Sequence, residues 1–138
     1  MVKENWGYYG IFFDSEEKQM LLSLAKNVVG VPSDWKIYCD HMTLVYNDKS
    51  EERLKMAEHY DTMVGSMVTV IFDAIGVSND AIALRVSNCK SQNKISHVTI
   101  ATRPGVKPVE SNNIKNWYTL PKLETAHGTI NVMLRNTK

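Results

Sequence analysis

The chain has 138 residues, 43% of them hydrophobic, and its 16 Lys+Arg against 15 Asp+Glu give a formal net charge of +1. This composition predicts one domain over residues 1–138 and excludes a disordered chain. No apolar run reaches the ~20 residues of a membrane helix. The N-terminus has no apolar signal core, and 2 cysteines make no disulfide framework. We expect a cytoplasmic protein with no membrane contact, and a charge near zero argues against binding to long nucleic acid.

The first half of the chain predicts two helices set among strands. Aromatic and β-branched residues at 6–13 favour a strand, and the short polar residues and carboxylates of 14–17 are typical of a helix start. Apolar residues at helical spacing continue that helix until Gly30 and Pro32 end it. Further strands are predicted at 35–39 and 41–46, and a second helix at 50–63.

The second half predicts mainly strands. Residues 67–77 and 81–86 flank a short polar turn, which indicates a hairpin, and another strand is predicted at 94–102. Residues 104–116 contain two prolines and predict a loop with at most one short helix. Closing strands are predicted at 118–120 and 129–134. The fold class is therefore α+β, and the order of elements suggests two lobes.

Two tetrapeptides share the pattern His, apolar, Thr, apolar: His41-Met42-Thr43-Leu44 and His97-Val98-Thr99-Ile100. On a strand, residues i and i+2 share one face while i+1 and i+3 share the other. Each segment should therefore present one imidazole and one hydroxyl together, and anchor its two apolar residues in the core. If the two strands face each other across a groove, two imidazoles and two hydroxyls converge there.

Such a set of groups suits the cleavage of a phosphodiester without a metal. An imidazole has an ordinary pKa near 6.5, so one ring can act as a base while the other acts as an acid. The two threonine hydroxyls can donate hydrogen bonds to phosphate oxygens where negative charge builds up. The sequence leaves open which histidine is the acid.

Paired His-x-Thr motifs on strands resemble the 2H phosphoesterase superfamily, and the chain is similar to its small, LigT-like members. The resemblance implies a bilobal fold with two mostly antiparallel sheets related by a pseudo-twofold axis. Helices would pack outside, and an active groove would lie between the lobes. It also implies that His41, Thr43, His97 and Thr99 take the catalytic positions, with no cofactor. LigT-like members include RNA-repair cyclic phosphodiesterases and viral or phage enzymes that degrade cyclic nucleotide signals.

This resemblance leads us to expect a metal-independent phosphodiesterase, acting as a monomer on a small nucleotide or a short oligonucleotide. We favour a cyclic dinucleotide or oligonucleotide immune signal of the cGAMP or oligoadenylate type. One alternative is an RNA-repair enzyme that opens a terminal 2′,3′-cyclic phosphate. Another, of a different class, is a non-catalytic protein that binds and sequesters a nucleotide.

Four further residues are predicted to bind substrate. Tyr8 lies on the first strand, where the family often places an aromatic residue beside the groove, and Tyr46 is a weaker candidate for stacking on a base. The simpler role for either ring is core packing. Arg103 and Lys107 directly follow the second motif, and loops at strand ends often carry function. The alternative is that both side chains are exposed to solvent and bind no substrate.

Charge is unevenly distributed along the chain. Residues up to Leu84 include 7 Lys/Arg and 13 Asp/Glu, whereas residues from Arg85 onward include 9 and 2. The basic second part therefore offers local attraction for an anion. A plainer explanation of the uneven charge is chance, with the charged residues simply lying on solvent-exposed surfaces.

Zinc binding is the rival chemistry for the motif histidines. Cys39 has the same strand parity as His41, and Cys89 and His97 are further candidate ligands. The chain has no CxxC or HxxxH spacing, and we therefore predict no metal site.

Overall fold

The computed structural model describes residues 2–135. Within this range the chain forms seven strands, two α-helices and one 3₁₀ helix. In chain order they are β1 (Trp6–Phe12), α1 (Ser15–Val28), β2 (Lys36–Ile37), β3 (His41–Tyr46), α2 (Glu51–Asp61), β4 (Met67–Val77), β5 (Ala81–Val86), β6 (His97–Thr102), the 3₁₀ helix (Pro108–Asn113) and β7 (Asn116–Leu134).

The strands form one sheet in the order β2-β6-β5-β4-β7-β1-β3, and all the strand pairings in the described residues are antiparallel. The α+β class and the antiparallel pairing are thus confirmed. The expected two sheets are instead joined in one, because β4 and β7 hydrogen-bond to each other and connect the half that holds β6 to the half that holds β3.

The long strand β7 replaces the two short closing strands that the sequence predicts. Its pairing with β4 jumps from Phe72↔Glu124 to Ala74↔Thr119, so residues 120–123 bulge out opposite the single residue Asp73. Pro121 lies in this bulge and has no N–H to donate to the neighbouring strand. The first predicted closing strand, 118–120, runs into the start of this interruption, and the second, 129–134, lies after it.

The sheet is curled, so that strands far apart in its order lie next to each other. Four strands lie between β3 and β6, yet the N–H groups of Tyr38 and Cys39, just before β3, donate to the carbonyls of Ile100 and Thr99 in β6 at 2.8 and 3.0 Å. On the far side, the N–H of Gln92 donates to a β3 carbonyl at 2.8 Å. These bonds hold the two motif strands beside each other.

Two corrections concern strand ends. The predicted strand 35–39 shrinks to β2, because Cys39 takes a left-handed conformation (φ 58°) that a strand does not accommodate. The predicted strand 94–102 begins only at His97, since the residues before it form a loop against the end of β3.

The helices cover different parts of the sheet. The carboxylate of Asp14 caps α1 by accepting from the Glu17 N–H at 2.9 Å, and α1 buries Leu21 and Ala25 in the main hydrophobic cluster. Ser50 caps α2, whose Ala57 packs in a second cluster. Of the helices in residues 2–135, none is long and apolar enough to cross a membrane.

Candidate active site

Both motif strands deliver their polar side chains to the same cleft. A hollow of about 230 Å³ is lined by His41, Thr43, His97 and Thr99. The intervening residues of each motif point the other way, into the main hydrophobic cluster, and all are 2% exposed or less: Met42, Leu44, Val98 and Ile100. The predicted alternation along each strand is therefore present. The curl of the sheet brings the two motif strands to face each other, a condition that the sequence alone could not establish.

A backbone corner positions the first motif. Cys39 is a non-glycine residue in the left-handed region, which is uncommon and costs of order 1 kcal/mol. Its N–H donates to Thr99, and its buried thiol donates to the Ile100 carbonyl at 3.6 Å. The next residue, Asp40, accepts the Phe13 N–H on its own carbonyl at 3.0 Å. The corner therefore holds the side chains of residues 40 and 41 at the edge of the cleft.

His41 lies between a carboxylate and two aromatic rings. Its Nδ1 is 3.1 Å from Oδ1 of Asp40, and its ring centroid is 5.1 Å from that of Tyr8 and 5.6 Å from that of Phe12. The hydrogen bond with His41 lowers the pKa of Asp40, and the charge of Lys18 lowers it further. Asp40 is therefore ionised at neutral pH, and its carboxylate can accept a hydrogen bond from the Nδ1–H of His41.

His97 has the opposite surroundings. It is only 8% exposed, and its Nδ1 lies 2.8 Å from the Ile95 carbonyl. Because a carbonyl only accepts, Nδ1 carries the proton and Nε2 keeps a lone pair. Burial lowers the pKa of His97, and repulsion from His41 adds to that effect. Arg85 faces His97 across the strand pair, but Asp73 holds its guanidinium at 2.9 and 3.1 Å.

The two threonines differ in their hydrogen bonding. Thr43 Oγ1 has no hydrogen-bond partner within residues 2–135, whereas Thr99 Oγ1 lies 2.8 Å from Ser111 Oγ and 3.4 Å from the Pro108 carbonyl. Ser111 is 1% exposed. If the serine donates to Thr99, the threonine proton goes to the Pro108 carbonyl at 3.4 Å, a long hydrogen bond that a phosphate oxygen in the cleft can replace. Ser111 therefore orients one of the two candidate donors.

Of the four predicted substrate-binding residues, the structure places two in the cleft. Tyr8 and Tyr46 line it, with Tyr46 46% exposed. Arg103 and Lys107 do not line it. Arg103 is instead paired with Asp80 of the hairpin turn, with Nη2 and Nε at 2.6 and 3.0 Å from Oδ1. The charge of Arg103 therefore has a partner in Asp80, and its side chain does not line the cleft.

Sequence reasoning missed several residues that line the cleft. Tyr38 precedes the left-handed corner, and Gln92 and Asn93 belong to the loop before β6. Asn112 of the 3₁₀ helix also lines the cleft, and it was not missed, because the sequence offers it as a weaker candidate than Arg103 and Lys107. No local pattern marks Gln92 and Asn93, because they reach the cleft through the curl of the sheet. Asp40 could have been found from the sequence, since it immediately precedes the first motif histidine.

The cysteines considered as zinc ligands do not line the cleft that holds the motif histidines. Cys39 is buried in the main hydrophobic cluster and does not line the cleft, and burial raises the pKa of its thiol to about 12. Cys89 also lies away from the motif histidines. Across residues 2–135, no three or more His, Cys, Asp or Glu side chains are grouped as a metal site.

Comparisons with known proteins bear on this cleft. A profile of the family described as "Fungal tRNA ligase phosphodiesterase domain" matches residues 25–137, a range that contains both motifs. A solved structure titled "Crystal Structure of Fungal RNA Kinase" superposes with a TM-score of 0.68 at 15% identity, which shows a shared fold. The match covers 98% of this chain and 47% of that chain, so the present chain spans about half of that protein. No curated protein matches the sequence.

Proposed function

Because this chain belongs to the family of the fungal tRNA ligase phosphodiesterase domain, we propose that it is a metal-independent phosphodiesterase that hydrolyses a 2′,3′-cyclic phosphate at an RNA end. The observation that carries the proposal is the contrast between the two imidazoles of one cleft. One is buried with a free Nε2 lone pair, and the other has an ionised carboxylate at Nδ1.

The contrast assigns a role to each histidine. Neutral His97 accepts a proton from water through Nε2 as the water oxygen forms its bond to phosphorus. Protonated His41 donates the proton on Nε2 to the ribose oxygen whose bond to phosphorus breaks. The products are a phosphomonoester and a free hydroxyl. His97 then releases its extra proton to solvent, and His41 takes up a proton from solvent.

The hydroxyl groups act on the phosphate itself. Thr43 and Thr99 donate to the non-bridging oxygens, which gain charge in the transition state. Tyr8 lines the cleft and packs its ring against the His41 imidazole. No step in this mechanism needs a metal, because the imidazoles carry the protons and the hydroxyls stabilise the charge.

A second candidate substrate is the cyclic dinucleotide or short oligonucleotide signal. The observation in its favour is the set of flat rings in the cleft, because Tyr8, Tyr38 and Tyr46 all line it and could stack on two bases. The family match favours the RNA end over this signal.

A substrate panel tests the proposal. Purified protein in EDTA is incubated with an oligoribonucleotide ending in a 2′,3′-cyclic phosphate, with cGAMP isomers and with 2′,5′-oligoadenylate, and products are identified by mass spectrometry. We expect the RNA end to gain one water while the other ligands stay intact. Turnover of cGAMP alone would favour the second candidate. Tight binding with every ligand recovered intact would indicate a sequestering protein.

Replacing Asp40 by asparagine tests the assignment of acid and base. Loss of the carboxylate removes the charged hydrogen-bond acceptor at Nδ1 of His41, so the ring is held less well for donating a proton through Nε2. We expect kcat at pH 7 to fall by about tenfold. The acidic limb of the kcat/KM–pH profile reports protonation of His97 in the free protein. Burial lowers this pKa, so the limb should lie below the ordinary value of 6.5 and stay there in the variant.

The matched control is Asp34→Asn, which removes an exposed carboxylate that lies outside the cleft. Its profile should overlay that of the unaltered protein. If Asp40→Asn leaves kcat unchanged, or if it moves the acidic limb, Asp40 does not act through the proton donor and the assignment of the two histidines is wrong.

A further inference from the structure

The catalytic cleft continues into a second hollow that the proposed mechanism does not use. This hollow has a volume of about 250 Å³, and three residues line both spaces: Gln92, Asn93 and Asn112. One wall is the loop before β6, and the other is the 3₁₀ helix with the start of β7. The two hollows therefore form one groove that leads away from the motif histidines.

The second hollow has the chemistry of a nucleotide site. Trp117 and Lys94 line it beside the three amides. The Trp117 indole is fixed, because its N–H donates to the Ile114 carbonyl at 3.2 Å and its ring lies close to Gly76. Lys94 is exposed, and it forms no ion pair with any other residue in the range 2–135.

These groups match the parts of a nucleotide one by one. Amide side chains both donate and accept, as base edges require, and the side chain NH₂ of Gln92 stays available while its Oε1 accepts the Tyr46 N–H at 2.6 Å. An indole offers a flat surface to a base, and a lysine offers a charge to a phosphate.

We propose that this hollow binds the nucleotide that precedes the reacting end of an RNA strand, with Lys94 at the phosphate that links the two nucleotides. The proposal rests on the proposed function and narrows its substrate class. A 2′,3′-cyclic phosphate ends a strand, so the remainder of the RNA leaves on its 5′ side only, and the groove offers one exit for it. The preferred substrate is then an oligoribonucleotide rather than a cyclic mononucleotide.

The test compares adenosine 2′,3′-cyclic monophosphate with a diadenosine nucleotide that carries the same cyclic end. We expect kcat/KM for the dinucleotide to be about tenfold higher. Lys94→Ala should remove most of that advantage and affect the mononucleotide far less. The plot of log kcat/KM for the dinucleotide against log salt should become shallower by about 0.7 in this variant, since one phosphate contact is lost.

Lys94→Arg should restore the advantage, and Lys26→Ala, which removes a lysine of α1 away from the groove, should leave both substrates unchanged. Equal kcat/KM for the two substrates would overturn the subsite, as would an equal loss for both in Lys94→Ala. If neither substrate is hydrolysed, the proposed function fails. The subsite is then decided by calorimetry with the two ring-opened products, where the dinucleotide should bind more tightly and equal affinity would refute it.

Discussion

Replacing either His41 or His97 by alanine should lower the single-turnover rate on a cyclic-phosphate RNA end by about 10³-fold. Each variant should still bind this substrate. Each imidazole carries one of the two proton transfers, and such a transfer is worth about 10²–10⁴-fold. Because both transfers belong to one reaction, the double variant should lose much less than the product of the single losses. Rapid-quench assays on all three variants measure these rates.

Burial makes one control necessary. His97 is 8% exposed, so removing its ring leaves a space in the structure, whereas the half-buried His41 can be removed at less cost. His97→Gln keeps most of the volume, and thermal unfolding should report a folded protein for each variant. The exposed histidine of α2 offers a matched substitution, His59→Ala, which should retain full activity. Near-normal turnover in either motif variant would show that the acid–base pair is wrongly assigned.

Replacing Thr43 or Thr99 by valine should lower kcat by about 10²-fold each, with little change in KM. Valine keeps the shape and loses the hydroxyl, and a lost donor to a charged transition state costs about that factor. The two variants should differ in stability, because Thr99 is hydrogen-bonded to the buried Ser111 in the absence of ligand and Thr43 is not. Thr99→Val leaves the serine hydroxyl without its partner and should unfold at a lower temperature.

Ser111→Ala separates orientation from donation. The serine does not line the cleft that holds the histidines, but it borders the second hollow, and it is hydrogen-bonded to Thr99. Its loss should lower kcat by less than the loss of the Thr99 hydroxyl. Thr125→Val, on the exposed side of β7, is the matched control and should keep full activity. A large increase in KM in the Thr43→Val variant, with kcat unchanged, would place that hydroxyl in ground-state binding rather than in the reaction.

The predictable part of the site is the part that depends on strand alternation. The period of two places the histidine and threonine of each motif on one face, and this holds in β3 and in β6. The predicted hairpin turn is also present, and the Ser78 hydroxyl accepts hydrogen bonds there from the N–H groups of Asp80 and Ala81. Local rules of this kind need only the neighbouring residues.

The parts that sequence reasoning missed depend on distant contacts. The two expected sheets are one because β4 pairs with β7, and no local pattern reports a pairing between strands that far apart in the chain. Arg103 follows the second motif directly, yet the hairpin turn places Asp80 beside it, and the two side chains form an ion pair. The basic second part of the chain therefore does not reach the cleft through Arg103. In the groove the cation is Lys94, and its place is set by the loop before β6.

The most direct test of the central claim is hydrolysis of a cyclic-phosphate RNA end in ¹⁸O-labelled water with EDTA present. The mechanism predicts one ¹⁸O atom in the product phosphomonoester, because water attacks phosphorus once and the ring oxygens stay on the ribose. It also predicts a rate unaffected by chelation. No hydrolysis by folded protein, or activity that EDTA abolishes and added metal restores, would contradict catalysis by His41 and His97 alone.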